Sequence, residues 1–418
     1  MNNSPQRVCI VGGGASGFFA AIACAEAAPG VPVVILEKSR ECLAKVRVSG
    51  GGRCNVTHAC LDTRDLAEHY PRGERALLGP FSMFQPRDTV AWFAARGVPL
   101  KTERDGRMFP ETNSSETIVE CLTRSAERAG VEVRTNCDVK HIHAIPAGGF
   151  SLELADGSAI ECGVLMLATG GCKGGAGTAL AQPLGHAIEP PVPSLFTFTI
   201  DAPWLRALSG LSITPVELFA PEAKHRETGP ALITHWGLSG PAALRLSAWG
   251  ARQFHTLGYR FQLLVNWLPS QTEEKNFATL STHRQNSPAR TLFKTPFPPL
   301  PARLWEALAT QAGIPADTRW AALSNPALRG LARQLARTEL QVSGKSANKD
   351  EFVTCGGVSL REVNMKTMES RICPNLFFGG ELLDIDGVTG GFNFQAAWTT
   401  GWIAGHAMAQ KTPQELRL

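Results

Sequence analysis

Six residues near the N-terminus carry the first chemical signal. Gly12-Gly13-Gly14-Ala15-Ser16-Gly17 follows an apolar β-branched run, residues 7–11 (RVCIV), and precedes an alanine-rich stretch over 18–28. A second apolar run over 31–36 ends at Glu37, 20 residues beyond Gly17. Strand, glycine turn, helix, strand and acid in this order predict a dinucleotide-binding unit. Gly12 permits the tight turn, Gly14 leaves the backbone open to a pyrophosphate, and Gly17 lets helix and strand pack closely. The helix start offers free N–H groups and a partial positive charge to phosphates. Glu37 can accept from the hydroxyls of the adenosine ribose. The motif alone does not separate FAD from NAD.

Further glycine clusters follow. Residues 45–58 (KVRVSGGGRCNVTH) place Gly50, Gly51 and Gly52 before Arg53-Cys54-Asn55. This reads either as a loop approaching a second part of the cofactor or as a plain surface loop. An apolar strand over 163–168 ends in Ala168-Thr169-Gly170-Gly171. Near the C-terminus a strand over 375–378 (NLFF) runs into Gly379-Gly380-Glu381. Thr389-Gly390-Gly391 then precedes a helix over 392–409. Such a helix can aim its N–H groups at a flavin pyrimidine edge and favour the charge of the reduced ring. No second G-x-G-x-x-G follows a strand, so a dedicated NAD(P)H domain is not expected.

Two residues are candidates for substrate chemistry. His235, in HWGLSGP, could donate a proton near neutral pH, although a hydrogen-bonded histidine in a barrel turn is the simpler reading. Arg107, in GRMFPE, could bind an anionic substrate or only a carbonyl oxygen. Cys54 has no partner for a C-x-x-C pair anywhere in the chain and reads as packing. No metal-ligating set is expected, and the flavin is expected to be non-covalent despite His58.

These groups need elements to hold them. The chain has 418 residues, more than one core usually serves. Short strands over 131–139, 140–145, 150–154 and 159–162 predict a small antiparallel meander. Composition changes between 190 and 347. Strands over 195–200, 214–219 and 259–264 predict a separate sheet or barrel. Helix-like stretches over 272–283, 302–312 and 326–338, joined by proline-rich linkers, predict a helical subdomain inside it. Eleven scattered cysteines point to reduced thiols. A polar start and no run of 18 apolar residues predict a cytoplasmic location without membrane spans. The net charge of +4 is too small to argue for nucleic acid by itself.

A family resemblance adds to this reading. VGGGASG, SGGGRCNVT, GRMFPE, ATGG, LGH, THWGLSGPA, VTCGGVSLREV, TMESR, LFFGGELLDIDGVTGGFNFQAAW and GWIAGHA occur in order between residues 8 and 409. The chain resembles the bacterial YhiN/BaiN-type flavoproteins, a family of NAD(P)/FAD-dependent, aminoacetone-oxidase-like enzymes. The resemblance implies an α/β fold with a Rossmann-like, glutathione-reductase-like FAD domain (1–190 and 347–418). It implies an inserted β-barrel-like domain (191–267 and 341–346) and a helical subdomain (268–340). It implies FAD contacts at Gly12, Gly14, Ala15, Gly17, Glu37, Lys38, Gly52, Arg53, Cys54 and Asn55. Val139, Ala168, Thr169 and Gly170 add contacts, Val139 near the adenine. Gly380, Glu381, Asp386, Gly391, Phe392 and Asn393 frame the flavin end. The chain departs from the family at His58, where Asn is usual, and at the short glycine loop over 174–178.

The expected activity is flavin-mediated hydride transfer to or from a small organic substrate, with NAD(P)H as a transient donor. Reduction is preferred, because BaiN-type relatives are associated with steroid-like enones. An amine-type oxidase using oxygen is one alternative. An FAD-containing RNA-modifying or RNA-binding protein is another, because Arg252, Arg260, Arg284, Arg290, Arg329, Arg333 and Arg337 populate the inserted region.

Overall fold

A computed structural model describes residues 7–146, 148–171, 175–346 and 353–411. The chain divides into two compact units, 1–192 with 353–418, and 193–352.

The first unit is built on a seven-stranded sheet. Its order is Val363–Asn364, Glu369–Ser370, Leu376–Phe378, Val164–Leu167, Val8–Val11, Val33–Leu36 and Glu132–Arg134. The last five of these run parallel. Every residue of Val8–Val11, Val33–Leu36 and Val164–Leu167 is buried, as a parallel sheet covered on both faces requires. Val11 lies opposite both Leu36 and Leu167, and Leu167 lies opposite Phe378. Four strands therefore finish level, and their carboxyl ends form the edge at which such sheets meet ligands.

Two helices from opposite ends of the chain cover this sheet. The first spans Ala15–Ala27. It begins three residues earlier than the sequence suggests, because the glycine turn itself supplies its first turn. The last spans Phe392–Lys411. The two approach backbone to backbone. A Cβ at Gly401 would stand 2.5 Å from the Ser16 carbonyl oxygen, and one at Gly405 would stand 2.5 Å from that of Ala20.

The meander consists of Val139–Ala144, Phe150–Leu154 and Ala159–Cys162. Of the strand expected over 131–139, only Glu132–Arg134 forms. The helices Glu74–Met83, Pro86–Ala94 and Ser115–Arg128 add to the elements that the sequence pattern predicts.

The second unit contains a closed six-stranded barrel, ordered Phe198–Ile200, Gly237–Ser239, His225–Ile233, Ser212–Ala220, Phe261–Asn266 and Thr338–Lys345. Two of its strands contradict the sequence reading. His225–Ile233 was missed, and Gly237–Ser239 lies inside the segment read as a loop. Gly237 is needed there because its Cβ would stand 2.4 Å from the Phe198 oxygen. The helices Glu273–Asn286, Ala302–Gln311 and Asn325–Ala336 share one hydrophobic core with the barrel. Thr338 already belongs to a barrel strand, and its hydroxyl accepts from the buried Trp267 indole at 2.7 Å.

Candidate functional site

The glycine turn is tied to its neighbours at two points. Gly12 has φ +113°, and its Cβ would stand 2.3 Å from the Ala168 oxygen. A Cβ at Gly17 would stand 2.0 Å from the Gly12 oxygen. Gly14 is different, because among the described residues beyond its chain neighbours no atom lies within 4 Å of its Cβ position. The Cβ positions of Gly51, Gly52 and Gly170 are equally open. Gly14 caps the first helix without any side-chain hydrogen bond, and the hydroxyls of Ser16 and Thr169 are buried without partners. Open glycine positions, an uncapped helix start and unpaired hydroxyls at the strand ends fit a dinucleotide pyrophosphate. Glu37 accepts from Gly13 N–H at 2.8 Å and from Ser39 N–H at 2.9 Å, which fixes its carboxylate at the end of its strand. Lys38 is exposed beside it, and Val139 is buried at the start of the meander.

The glycine-rich segment expected to be a loop is partly helical. Within Ala44–Gly52 the backbone is helical as far as Val48 and leaves the helix at Ser49. Gly50, Gly51 and Gly52 then adopt φ of +57°, +69° and +82°, the left-handed region. Arg53 lies 4.1 Å over the Phe109 ring and pairs with Glu103 at 2.7 Å. Cys54 is fully buried, and that burial pushes its thiol up to about 12. A thiol so protonated is no redox group at neutral pH. Asn55 reaches the other end of the chain. Its amide donates to Thr57 O at 3.1 Å and accepts from Gly391 N–H at 3.0 Å. Gly391 has φ +96°, and a Cβ there would stand 2.5 Å from the Thr57 oxygen.

The start of the last helix is held from several sides. Phe392 stacks on His58 and on His69, with ring centroids 4.7 and 4.2 Å apart. The Tyr70 hydroxyl donates to Phe392 O at 2.6 Å. The Thr57 and Thr89 hydroxyls donate to Gln395 at 2.6 and 2.9 Å. Asn393 both accepts from and donates to the Gly387 backbone, each at 2.8 Å. Asp386 is fully buried and receives both Nε and Nη2 of Arg72. The side chains of Asp386 and Asn393, expected at the flavin, thus hold the loop before the helix. Glu381 accepts from Thr354 N–H at 3.0 Å and pairs with Lys45, and Gly380 donates to the Thr400 hydroxyl at 2.9 Å.

The substrate-side candidates belong to different units, Arg107 to the first and His235 to the second. Arg107 pairs with Asp105 at 2.8 Å and Glu103 at 3.3 Å, so two carboxylates already neutralise it. His235 is exposed, in the turn between two barrel strands of the second unit. LGH and TMESR meet structurally instead. The Ser370 hydroxyl and His186 Nε2 are 2.9 Å apart, and His186 Nδ1 is 3.3 Å from Glu362. Of the short glycine loop, residue 174 lies outside the described residues. Gly177 fits tightly there, since its Cβ would stand 2.0 Å from the Thr169 hydroxyl.

His58 pairs opposite Arg107 in a short antiparallel sheet. Its Nε2 lies 3.1 Å from the Asp105 carbonyl, and its Nδ1 is buried without a partner. Burial holds its imidazole below the ordinary value of 6.5, and does the same for His186 and His406. The folded chain then binds fewer protons than the unfolded chain as pH falls through 6.5. Stability is fully present above that value and declines below it. His58→Asn should make the melting temperature fall less steeply between about pH 7 and pH 5. Identical slopes for the variant and the parent would reject this account.

Comparison with known proteins adds the family. A model described as HI0933-like protein Rossmann domain matches residues 6–407. The chain is 31% identical, over 97% of its length and 100% of the relative's, to the 3-dehydro-bile acid delta(4,6)-reductase of Clostridium scindens. It is 30% identical, over 94% of its length and 95% of the relative's, to the ribosomal RNA dihydrouridine synthase of Escherichia coli. Its fold is similar to that of the 3-ketosteroid-delta4-(5alpha)-dehydrogenase of Rhodococcus jostii, with a TM-score of 0.51 at 14% identity over 97% of each chain. Among the described residues no helix is long and apolar enough to cross a membrane. With a family match across nearly its whole length, this chain belongs to the HI0933-like Rossmann family and is an FAD-dependent oxidoreductase.

Proposed function

We propose that this enzyme reduces a carbon–carbon double bond conjugated to a carbonyl group, with NAD(P)H as a transient electron donor. One observation carries the reading. The two relatives, 31% and 30% identical, bear names for different substrates but one kind of reaction. A delta(4,6)-reductase of a 3-dehydro steroid and a synthase of dihydrouridine both add two hydrogens across an alkene activated by a carbonyl.

Bound FAD supplies the hydride chemistry. The chain's own residues bind and orient it. The Gly14 to Gly17 turn receives the pyrophosphate, and Glu37 receives the adenosine ribose. The start of the last helix, fixed by Asn55 and Tyr70, lends a positive dipole end to the pyrimidine edge. Without a second dinucleotide motif, the nicotinamide docks only while it delivers its hydride. The balance is NAD(P)H and a proton consumed, the C=C bond converted to CH–CH, and NAD(P)+ released. Cys54, whose thiol burial pushes up to about 12, stays out of the electron transfer.

Anaerobic stopped-flow mixing with NADH and with NADPH tests this. Flavin absorbance should bleach with one or both. Adding a 4-en-3-one steroid or a uridine-containing RNA should then restore it in the absence of oxygen. Failure of both nucleotides to reduce the flavin, or recovery only on admitting oxygen, would overturn the proposal in favour of an oxidase.

A further inference from the structure

We infer that the outer face of the meander holds a divalent transition-metal ion between the imidazoles of His141 and His143. The ion is of the class that nitrogen ligands prefer, Ni2+, Cu2+ or Zn2+, and two protein ligands leave its other positions to water.

A bulge creates the site. Under strict alternation Val139 and His141 would share one face of the strand Val139–Ala144, the buried one. Val139 lies opposite Leu154 and His141 lies opposite Glu153, so two steps on this strand match one on its neighbour. Lys140 is the extra residue, and its ammonium pairs with Asp138 at 2.5 Å. The phase of the strand therefore changes between Val139 and His141. Ile142 and its partner Leu152 are buried and pin the new phase to the core, which turns His141 and His143 outward together. Two histidines at i and i+2 are too few to read as a ligand set from the sequence, and the bulge supplies what the letters lack.

The two rings are 6.5 Å apart, centroid to centroid, with their planes 30° from parallel. Two imidazole nitrogens on one metal ion stand about 3 Å apart, since each bond is about 2.0–2.1 Å long. Both side chains are exposed, so turning them about their side-chain bonds closes the gap while the strand ladder keeps the backbone in place. Among the described residues no hydrogen bond or ion pair occupies either imidazole. No group of three or more ligating side chains is set for a metal among them either, so the site is a two-nitrogen clamp and not a closed structural cage.

The surrounding charge favours a cation. Glu153 stands opposite His141, and Glu161 stands opposite Ser151, itself the partner of His143. Both carboxylates are exposed, and the strand's own lysine is already paired with Asp138. Imidazole nitrogen selects nickel, copper and zinc over magnesium and calcium, which take oxygen ligands.

The test titrates Ni2+ alone into the FAD-loaded full chain, free of any affinity tag, by isothermal calorimetry. Nickel is the probe because the chain has 11 cysteines, and soft thiolates draw zinc and copper(I). The parent should take up one tightly held ion per chain. His141→Thr and His143→Thr should each weaken binding at least tenfold, because the second imidazole acts as an intramolecular ligand. Threonine is a good strand former, so both variants should keep the parent's circular dichroism and flavin content. His235→Thr, which removes an exposed histidine of the second unit, should bind nickel like the parent. Mg2+ in about thousandfold excess should leave the nickel in place. Parent-like affinity in either meander variant overturns the inference. So does loss of the ion in His235→Thr, displacement by Mg2+, or the absence of saturable binding to the parent.

Discussion

Gly14→Val should give a folded protein that is colourless. Two glycines three residues apart in one turn differ in what an added side chain would meet. At Gly17 a Cβ would run into the Gly12 oxygen at 2.0 Å, so substitution there damages the turn itself. At Gly14, among the described residues beyond its chain neighbours, no atom lies within 4 Å of the Cβ position, so a side chain starts there in open space. The branched side chain of valine instead fills the space through which a pyrophosphate would reach the uncapped helix start. FAD affinity should fall by well over tenfold, more than about 1.4 kcal/mol, and purified protein should lose its yellow colour. The far-ultraviolet circular dichroism should stay that of the parent. The melting temperature should fall only by the stabilisation that bound cofactor gives the native state. Gly14→Ala, with a single methyl group in the same space, should lie between. Stoichiometric FAD in purified Gly14→Val protein would falsify the pyrophosphate assignment.

The same turn shows how much of the molecule was legible in advance. Period, glycine spacing and the terminal acid sufficed for the strands Val8–Val11 and Val33–Leu36, because a buried parallel strand and its turn are local events. The helix Ser115–Arg128 was equally open to reading. Ser114 caps it by accepting from Glu116 N–H, and its apolar residues recur at helical spacing. Other features were not local. Gly237–Ser239 reads as a loop because two glycines flank a short motif, yet barrel closure makes a strand of it by pairing it with Phe198–Ile200 and His225–Ile233. Arg107 carries the letter of an anion binder, and only the fold shows Asp105 and Glu103 beside it. Thr57, Thr89 and Gln395 were passed over, although polar residues inside an otherwise apolar terminal helix were the available signal. His186 and Ser370 stand far apart in the sequence, and their meeting explains two motifs that no catalytic role had absorbed.

Asp386 is where chain-end convergence should cost most when broken. Its carboxylate is fully buried and takes two hydrogen bonds from Arg72, whose side chain is 10% exposed. The backbones of these residues also bridge, and Val388 N–H donates to His69 O at 2.9 Å. One strap, residues 69–72, therefore holds the segment that leads into the last helix. Asp386→Ala takes the buried carboxylate away from the Arg72 guanidinium in a nearly dry site, a loss of about 3–5 kcal/mol. Whole domains are stable by only about 5–15 kcal/mol, so the variant should denature at markedly lower urea or be recovered poorly. Arg72→Met/Asp386→Leu should restore much of that loss, because an apolar pair of similar size removes both buried charges together. A direct flavin contact by Asp386 predicts the reverse pattern. Asp386→Asn would then weaken FAD binding while leaving the urea midpoint of the cofactor-free protein unchanged, and the double variant would rescue nothing. Urea titration of the three variants, each with and without FAD, separates a carboxylate that anchors the loop from one that touches the cofactor.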